Sequence, residues 1–347
     1  MSAGRSGRTS DPQSLRMSAG RNGRIVGMGR RIAAAILGPL AILALVGLTA
    51  CDTGGGVDRV ESYAIAGGGT TGVYFAYGKH LAEALSAELD ADFAVEETEG
   101  SVDNLLRIGS GEALIGFAQS DAAADAVVGA GAFEEALPIR AVARLYDEYV
   151  HVVVRADSEI ARLSDLAGRA VSLGAPNSGV NLVAARVLDA AGVSEQQIEN
   201  PGLGLDASID ALRNSEIDGF FWVGGLPTPG IDQLARDIPI RLLSIDPWIV
   251  ERVNATHAGV YRVAELPMRA YGREESTVTM TVPNYLVVSA SAPAELVHEV
   301  TETLFESRSA IAKHVPAAAL LDRRQAIFTD PIELHPGAVA YYRETRR

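Results

Sequence analysis

The sequence predicts an α/β fold built as two lobes. Three observations predict it. Short apolar strand-like runs alternate with helical stretches, loops bearing Gly, Ser or Thr join strands to the helices after them, and the alternation runs through the chain twice. The 347 residues, 48% of them hydrophobic, are enough for two buried cores.

The first round begins with a strand over Ser62–Ala66 and a helix over Val73–Leu89, whose Val73, Tyr77, Leu81, Ala84 and Leu85 share a face. A strand over Phe93–Glu97 precedes a helix over Ser101–Gly109, with Ser101 as its cap. Ala113–Phe117 reads as a strand, Ala122–Val128 as a helix, and Arg140–Leu145 and Val150–Arg155 as two further strands. The second round opens on the turn Leu163–Gly168. It continues through strand Ala170–Leu173, helices Asn181–Ala191 and Ala207–Asn214, strand Gly219–Val223, helix Ile231–Arg236 and strand Arg241–Ile245. Thr277–Ser289 is the longest strand-like run, broken at Pro283, and Ala294–Ala312 is an amphipathic helix. A last helical turn lies within Leu334–Tyr342. Such alternation implies mostly parallel sheets covered by helices.

Composition removes several functions. A formal net charge of −14 and no clustered basic stripe argue against nucleic acid as a partner. The single cysteine excludes a disulfide framework, a cysteine zinc site and a CxxC redox pair.

That cysteine ends a segment of different chemistry. Ahead of Cys51 stand seven arginines and one acid, Asp11, and Ile32–Leu48 carries no charge. A basic stretch followed by an apolar run is what an export signal needs. Leu48-Thr49-Ala50-Cys51 resembles the bacterial lipobox, so residues 1–50 read as a lipoprotein signal, with Met17 an alternative start, and Cys51 as the lipidated residue. The alternative is a membrane anchor, but 17 residues with an internal Gly-Pro are marginal for a span. Residues 51–61 read as a flexible linker. Of the 30 basic and 44 acidic residues, seven and one precede Cys51; the remaining 23 and 43 give a net of −20. A body so anionic needs the lipid as its membrane tether.

Four loops have the character of a ligand site: Gly67–Tyr74, Glu99–Asn104, Gln119–Asp121 and Ala175–Asn181. Each leads into a helix, where unpaired N–H groups point outward. Each is also explained as a plain turn or cap. Gly67–Gly72 lacks the Gly-Lys-Ser/Thr ending of a phosphate loop.

AIAGGGTTGVYFAYGKHLAEAL, TEGSVDNLLRIGSGEALIGFAQSDAA, SLGAPNSGVNLVAARVL, IDGFFWVGGLPTPGIDQL and ELHPGAVAYYRE follow one another in the chain. In this order they resemble the TAXI family of TRAP-transporter solute-binding subunits, from about Ser62 to Arg343. The resemblance implies a type II periplasmic-binding-protein fold with a ligand cleft between two lobes, residues 62–150 with 285–347 and residues 151–284. It implies capture of a small anionic or zwitterionic carboxylate (an amino acid such as glutamate, a dicarboxylate or a 2-oxo acid) and delivery to a TRAP membrane permease. The binding residues it implies are Gly69, Thr70, Thr71, Tyr74, Ser101, Asn104, Gln119, Ser120 and Asp121 from one lobe. Ser178, Gly179, Asn181, Trp222 and Gly224 would come from the other. No cofactor, metal or catalytic residue is expected, and the chain is expected to act as an extracytoplasmic monomer.

Two positions depart from the family pattern. Asn181 stands where a glutamate is usual, and Trp222 where smaller residues are common. Arg107, Arg144 and Arg155 are candidate anion partners, but each is also explained as a surface ion pair; hydroxyls and helix-start amides are expected to bind the carboxylate instead. The competing classes are a lipid-anchored hydrolase and a ligand-binding sensor. No GxSxG occurs, and His298-Glu299 is followed by Glu302 where a zinc-binding motif needs histidine. The six histidines are scattered, and His151, inside an apolar strand, reads as structural.

Overall fold

The computed structural model describes residues 61–272 and 276–346; the signal segment, Cys51 and the linker up to residue 60 lie outside them. The strands are β1 (Glu61–Ala66), β2 (Ala91–Glu96), β3 (Ile115–Gln119), β4 (Ile139–Arg155), β5 (Val171–Ser172), β6 (Gly219–Gly224), β7 (Ile240–Leu242), β8 (Arg262–Pro267) and β9 (Ser276–Ser289). The helices are α1 (Val73–Glu88), α2 (Ser101–Ser110), α3 (Ser120–Val128), α4 (Gly179–Ala191), α5 (Leu205–Arg213), α6 (Pro229–Asp237), α7 (Pro247–Thr256), α8 (Ala294–Ile311) and α9 (Pro336–Glu344).

Hydrogen bonding links the strands in the order β2-β1-β3-β9-β4-β6-β5, with β7 beside β4 and β8 beside β9. Two long strands do the linking. β4 pairs with β9 from Ile139↔Ser289 to Tyr149↔Thr281, then with β6 over Tyr149–Val154. β9 pairs with β8 over Ser276–Thr281 and with β3 over Asn284–Val288. Each strand therefore serves one group of neighbours with one end and another group with the other.

The buried side chains divide in the same way. Two apolar clusters draw on residues between Ile65 and Tyr146 and between Tyr285 and Tyr342. Two others draw on residues between Val150 and Val282. Leu182 of α4 packs against one of the first pair from the other side. Two cores bridged by a pair of strands make a two-lobed α/β molecule, as the sequence predicts.

Three expectations need correction. The pairing is mixed rather than mostly parallel: β1–β2, β1–β3 and β5–β6 are parallel, but every ladder made by β4 and β9 is antiparallel. The strand–helix rhythm gives no sign of this, because the two crossover strands come from distant parts of the chain. Arg140–Leu145 and Val150–Arg155 are one strand, since the polar residues between them find partners: Arg144 pairs with Asp147 at 2.5 Å and Glu148 accepts three side-chain hydrogen bonds. Pro283 does not break β9. It stands opposite Asp147, beside the register shift between Arg144 and Tyr146, where the ladder is already interrupted. Helix α7 and strand β8 have no counterpart in the sequence reading. Among the described residues no helix is long and apolar enough to cross a membrane.

Candidate functional site

Five helices begin around one cavity. The residues that open α1, α2, α3, α4 and α5 are Gly72, Gly100, Gln119, Ser178 and Gly204, and all five line it. Only Ser178 gives its helix a side-chain cap, its hydroxyl accepting from Asn181 N at 3.1 Å. The other four starts leave first-turn N–H groups without that partner, and each carries the positive end of a helix dipole. The cavity measures about 380 Å³ and lies between α1, α2, the end of β3 and the loops after β1 and β2 on one side and α4, α5 and β6 on the other. That size suits a small molecule.

Local sequence explains the close approach of the two sides. Gly100 has a φ of 124°, a conformation that favours glycine, so the chain can turn into α2 against Ser178. A Cβ on Gly179 would stand 2.2 Å from Gln119 Oε1 and 2.9 Å from Ser101 Oγ. Only glycine lets the start of α4 meet the opposite lobe there.

Eight of the fourteen predicted residues line the cavity: Gly69, Tyr74, Ser101, Gln119, Ser178, Gly179, Trp222 and Gly224. Six do not. Asn104 is fully buried beneath it, accepting from Thr98 and donating to Phe117 O at 2.8 Å, while Thr98 Oγ1 receives Gly68 N at 2.8 Å. Thr70 and Thr71 donate to Asp206 across the cleft. Asn181 serves the start of α4 through its N–H, and Ser120 is buried in the first turn of α3 without lining the cavity. Asp121 pairs with Arg186 at 2.8 Å and accepts from Tyr261 OH; Arg186 also holds Asp125 at 2.6 Å. Burial raises the Asp121 carboxyl above its ordinary value, and the Arg186 guanidinium pulls it back.

Ser101 is not the cap expected for α2. Gly100 holds that position, and the Ser101 hydroxyl turns to accept from Gln119 N at 3.2 Å. Trp222 donates through Nε1 to Thr228 Oγ1 at 3.0 Å, which holds its ring in the cavity wall beside Phe221 and Val223. Arg107, Arg144 and Arg155 pair with Asp103, Asp147 and Asp157. None of the three lines the cavity.

The residue that sequence reasoning missed is Glu148. It is 1% exposed, lines the cavity, and stands opposite Val282 where β4 and β9 pass from one lobe to the other. Tyr74 OH and Gln119 Nε2 donate to its Oε2 at 2.9 and 3.0 Å, and Asn284 Nδ2 donates to Oε1 at 3.1 Å. Burial pushes its carboxyl up to about 8, although the three hydrogen bonds oppose the shift. Strand alternation offers a signal: Glu148 shares a face with Tyr146 and Val150, an acid on an apolar stripe. Asp206, also missed, follows Gly202-Leu203-Gly204, a fifth glycine-bearing loop ahead of a helix. His151 is structural, bonded to Tyr149 O at 2.9 Å and Tyr271 OH at 2.8 Å, and burial holds it down at about 4. Among the described residues no group of three or more His, Cys, Asp or Glu is placed to hold a metal ion.

A profile of the NMT1-like family matches residues 65–345, which include all five helix starts and both crossover strands. The chain belongs to the NMT1-like family. Solved structures resemble this NMT1-like chain at low identity. One described as a periplasmic transporter shares 12% identity, covers 83% of this chain and 93% of its own, and gives a TM-score of 0.52. PhnD1 from Prochlorococcus marinus, in complex with methylphosphonate, shares 12%, with 82% and 96% covered and a TM-score of 0.48. A putative L-cystine ABC transporter from Listeria monocytogenes shares 13%, with 76% and 99% covered and a TM-score of 0.47. The fold of the NMT1-like chain is that of the two-lobed periplasmic binding proteins.

Proposed function

We propose that this chain is the extracytoplasmic solute-binding subunit of a transporter of the TRAP type, within the TAXI group. In this reading residues 62–150 with 285–347 form one lobe and residues 151–284 the other. They close on a small carboxylate, an amino acid or a dicarboxylate or 2-oxo acid, and the closed form delivers it to a membrane permease. Lipid on Cys51 tethers the monomer to the outer face of the membrane.

The convergence of five helix starts on one cavity between the lobes carries this reading. N–H groups at helix starts receive a carboxylate without a counter-cation. A ligand that touches both lobes only in the closed form shifts the population toward it, and closure needs no covalent step. The sequence contributes the ordered motifs from Ser62 to Arg343 and the lipobox-like segment before Cys51. The sensor reading uses the same cavity and differs only in the partner.

The test is a thermal-shift screen of amino acids, 2-oxo acids and dicarboxylates on the full chain in mild detergent. A ligand at a hundredfold excess over its Kd adds about 2.7 kcal/mol of stability. A rise in midpoint within one of these classes is the expected result, and no rise in any of them overturns the reading.

A further inference from the structure

Among the described residues the walls of the cavity hold four carboxylates, Glu97, Glu99, Glu148 and Asp206, and no lysine, arginine or histidine. The four are not equivalent. Glu97 and Glu99 are exposed at the rim, and Asp206 is engaged by Thr70 and Thr71. Glu148 is buried at the base, with only neutral donors around it: Tyr74 from α1, Gln119 from β3 and Asn284 from β9. The charged neighbour nearest in influence is Asp121, which is itself negative and already held by Arg186. With no cation in reach Glu148 keeps its proton up to a pH of about 8, and a cation brought into the cavity takes that proton's place as the partner of the carboxylate.

Gln119 donates to Glu148 through Nε2, and its Oε1 is covered by Gly179 at the start of α4, so the amide holds the carboxyl group in place and leaves Glu148 as the charged group facing the cavity. Helix starts supply the complementary half, a place for one carboxylate.

We infer that the solute carries an ammonium group, received by the carboxylate of Glu148, and one carboxylate only: an α-amino acid with an uncharged side chain rather than a dicarboxylate or 2-oxo acid. This rests on the solute-binding reading above and narrows it. The apolar wall of Val73, Leu203, Leu205, Phe221, Trp222 and Val223 takes the side chain, and the rim acids Glu97 and Glu99 repel a second anionic end.

Isothermal calorimetry on the full chain in mild detergent tests this with matched pairs. L-leucine is compared with 4-methyl-2-oxopentanoate, L-glutamine with L-glutamate, and both amino acids with succinate and 2-oxoglutarate. The amine-bearing member binds about a hundredfold more tightly than its oxo acid, the scale of one charge-assisted hydrogen bond to a buried partner. L-glutamine exceeds L-glutamate, and Glu148→Gln removes the preference for the amine. Equal or tighter binding of a 2-oxo acid or dicarboxylate overturns the inference and leaves solute capture standing. Failure of every compound to bind overturns both. The pairwise preference is read on the unaltered chain, so the inference remains open to refutation even if Glu148→Gln does not fold.

Discussion

Two carboxylates are buried at the junction of the lobes, and the fold treats them in opposite ways. Asp121 lies in the first turn of α3 and meets Arg186 of α4 and Tyr261 OH, so its charge is matched within the protein and it stays out of the cavity. Glu148 has neutral donors only and faces the cavity. The first is a fixed joint between α3 and α4. The second is a group whose compensation has been left to a visitor. Burial and charge alone would rank them together; the presence of Arg186 separates them.

Removing Arg186 breaks this comparison most strongly. Arg186→Ala leaves Asp121 buried without its cation and frees Asp125, and truncating one partner of a buried pair costs about 3–5 kcal/mol. Denaturant unfolding of the variant should show that loss in the midpoint. A loss below about 1 kcal/mol, the range of an exposed pair, would place the network among surface contacts.

Much of the architecture was legible in the sequence. Strand–loop–helix spacing located most of the elements, and the glycine and serine loops marked four of the five helix starts. The crossover strands were harder to read, because their polar centre at Asp147 and Glu148 looks like a loop until β9 pairs with it. Asp121 and Asn104 sit in motifs that do converge on the cleft, yet sequence does not reveal whether a side chain points into the cavity or behind it. Arg186 lies on a helix face with no local sign of Asp121, 65 residues away. Long-range pairing of charges decides which of these groups remain free, and no local pattern encodes it.

Acidity sharpens the comparison with a smaller effect. Glu148 is raised from 4.5 to about 8, so between those values the folded chain holds a proton that the unfolded chain has lost. Stability therefore falls as pH rises through this window, by at most about 1.4 kcal/mol per pH unit. His151 acts in the other direction: lowered from 6.5 to about 4, it makes stability rise with pH between those values. The two slopes oppose each other below 6.5 and leave Glu148 alone above it. Calorimetric melting without solute should show the midpoint falling from pH 6.5 to 8, and Glu148→Gln should flatten that decline. An unchanged slope in the variant would assign the titration to another group.

Asp206 supplies the gentlest break, because it bridges the lobes without the burial of Asp121 or Glu148. Thr70 Oγ1 donates to its Oδ2 at 3.0 Å and Thr71 Oγ1 to its Oδ1, so both bonds join the β1–α1 loop to α5 across the cleft. They exist only when the lobes are together, and a half-exposed bond of this kind contributes about 0.5–1 kcal/mol. Asp206→Ala should therefore weaken solute binding by about two- to fivefold, by reducing the fraction of closed molecules. The unfolding midpoint should stay within about 0.5 kcal/mol of the parent, since neither lobe's core is touched. A loss as large as that of Glu148→Gln would mean that Asp206 also holds the solute's charge, and the division between a receiving carboxylate and a latching one would fail.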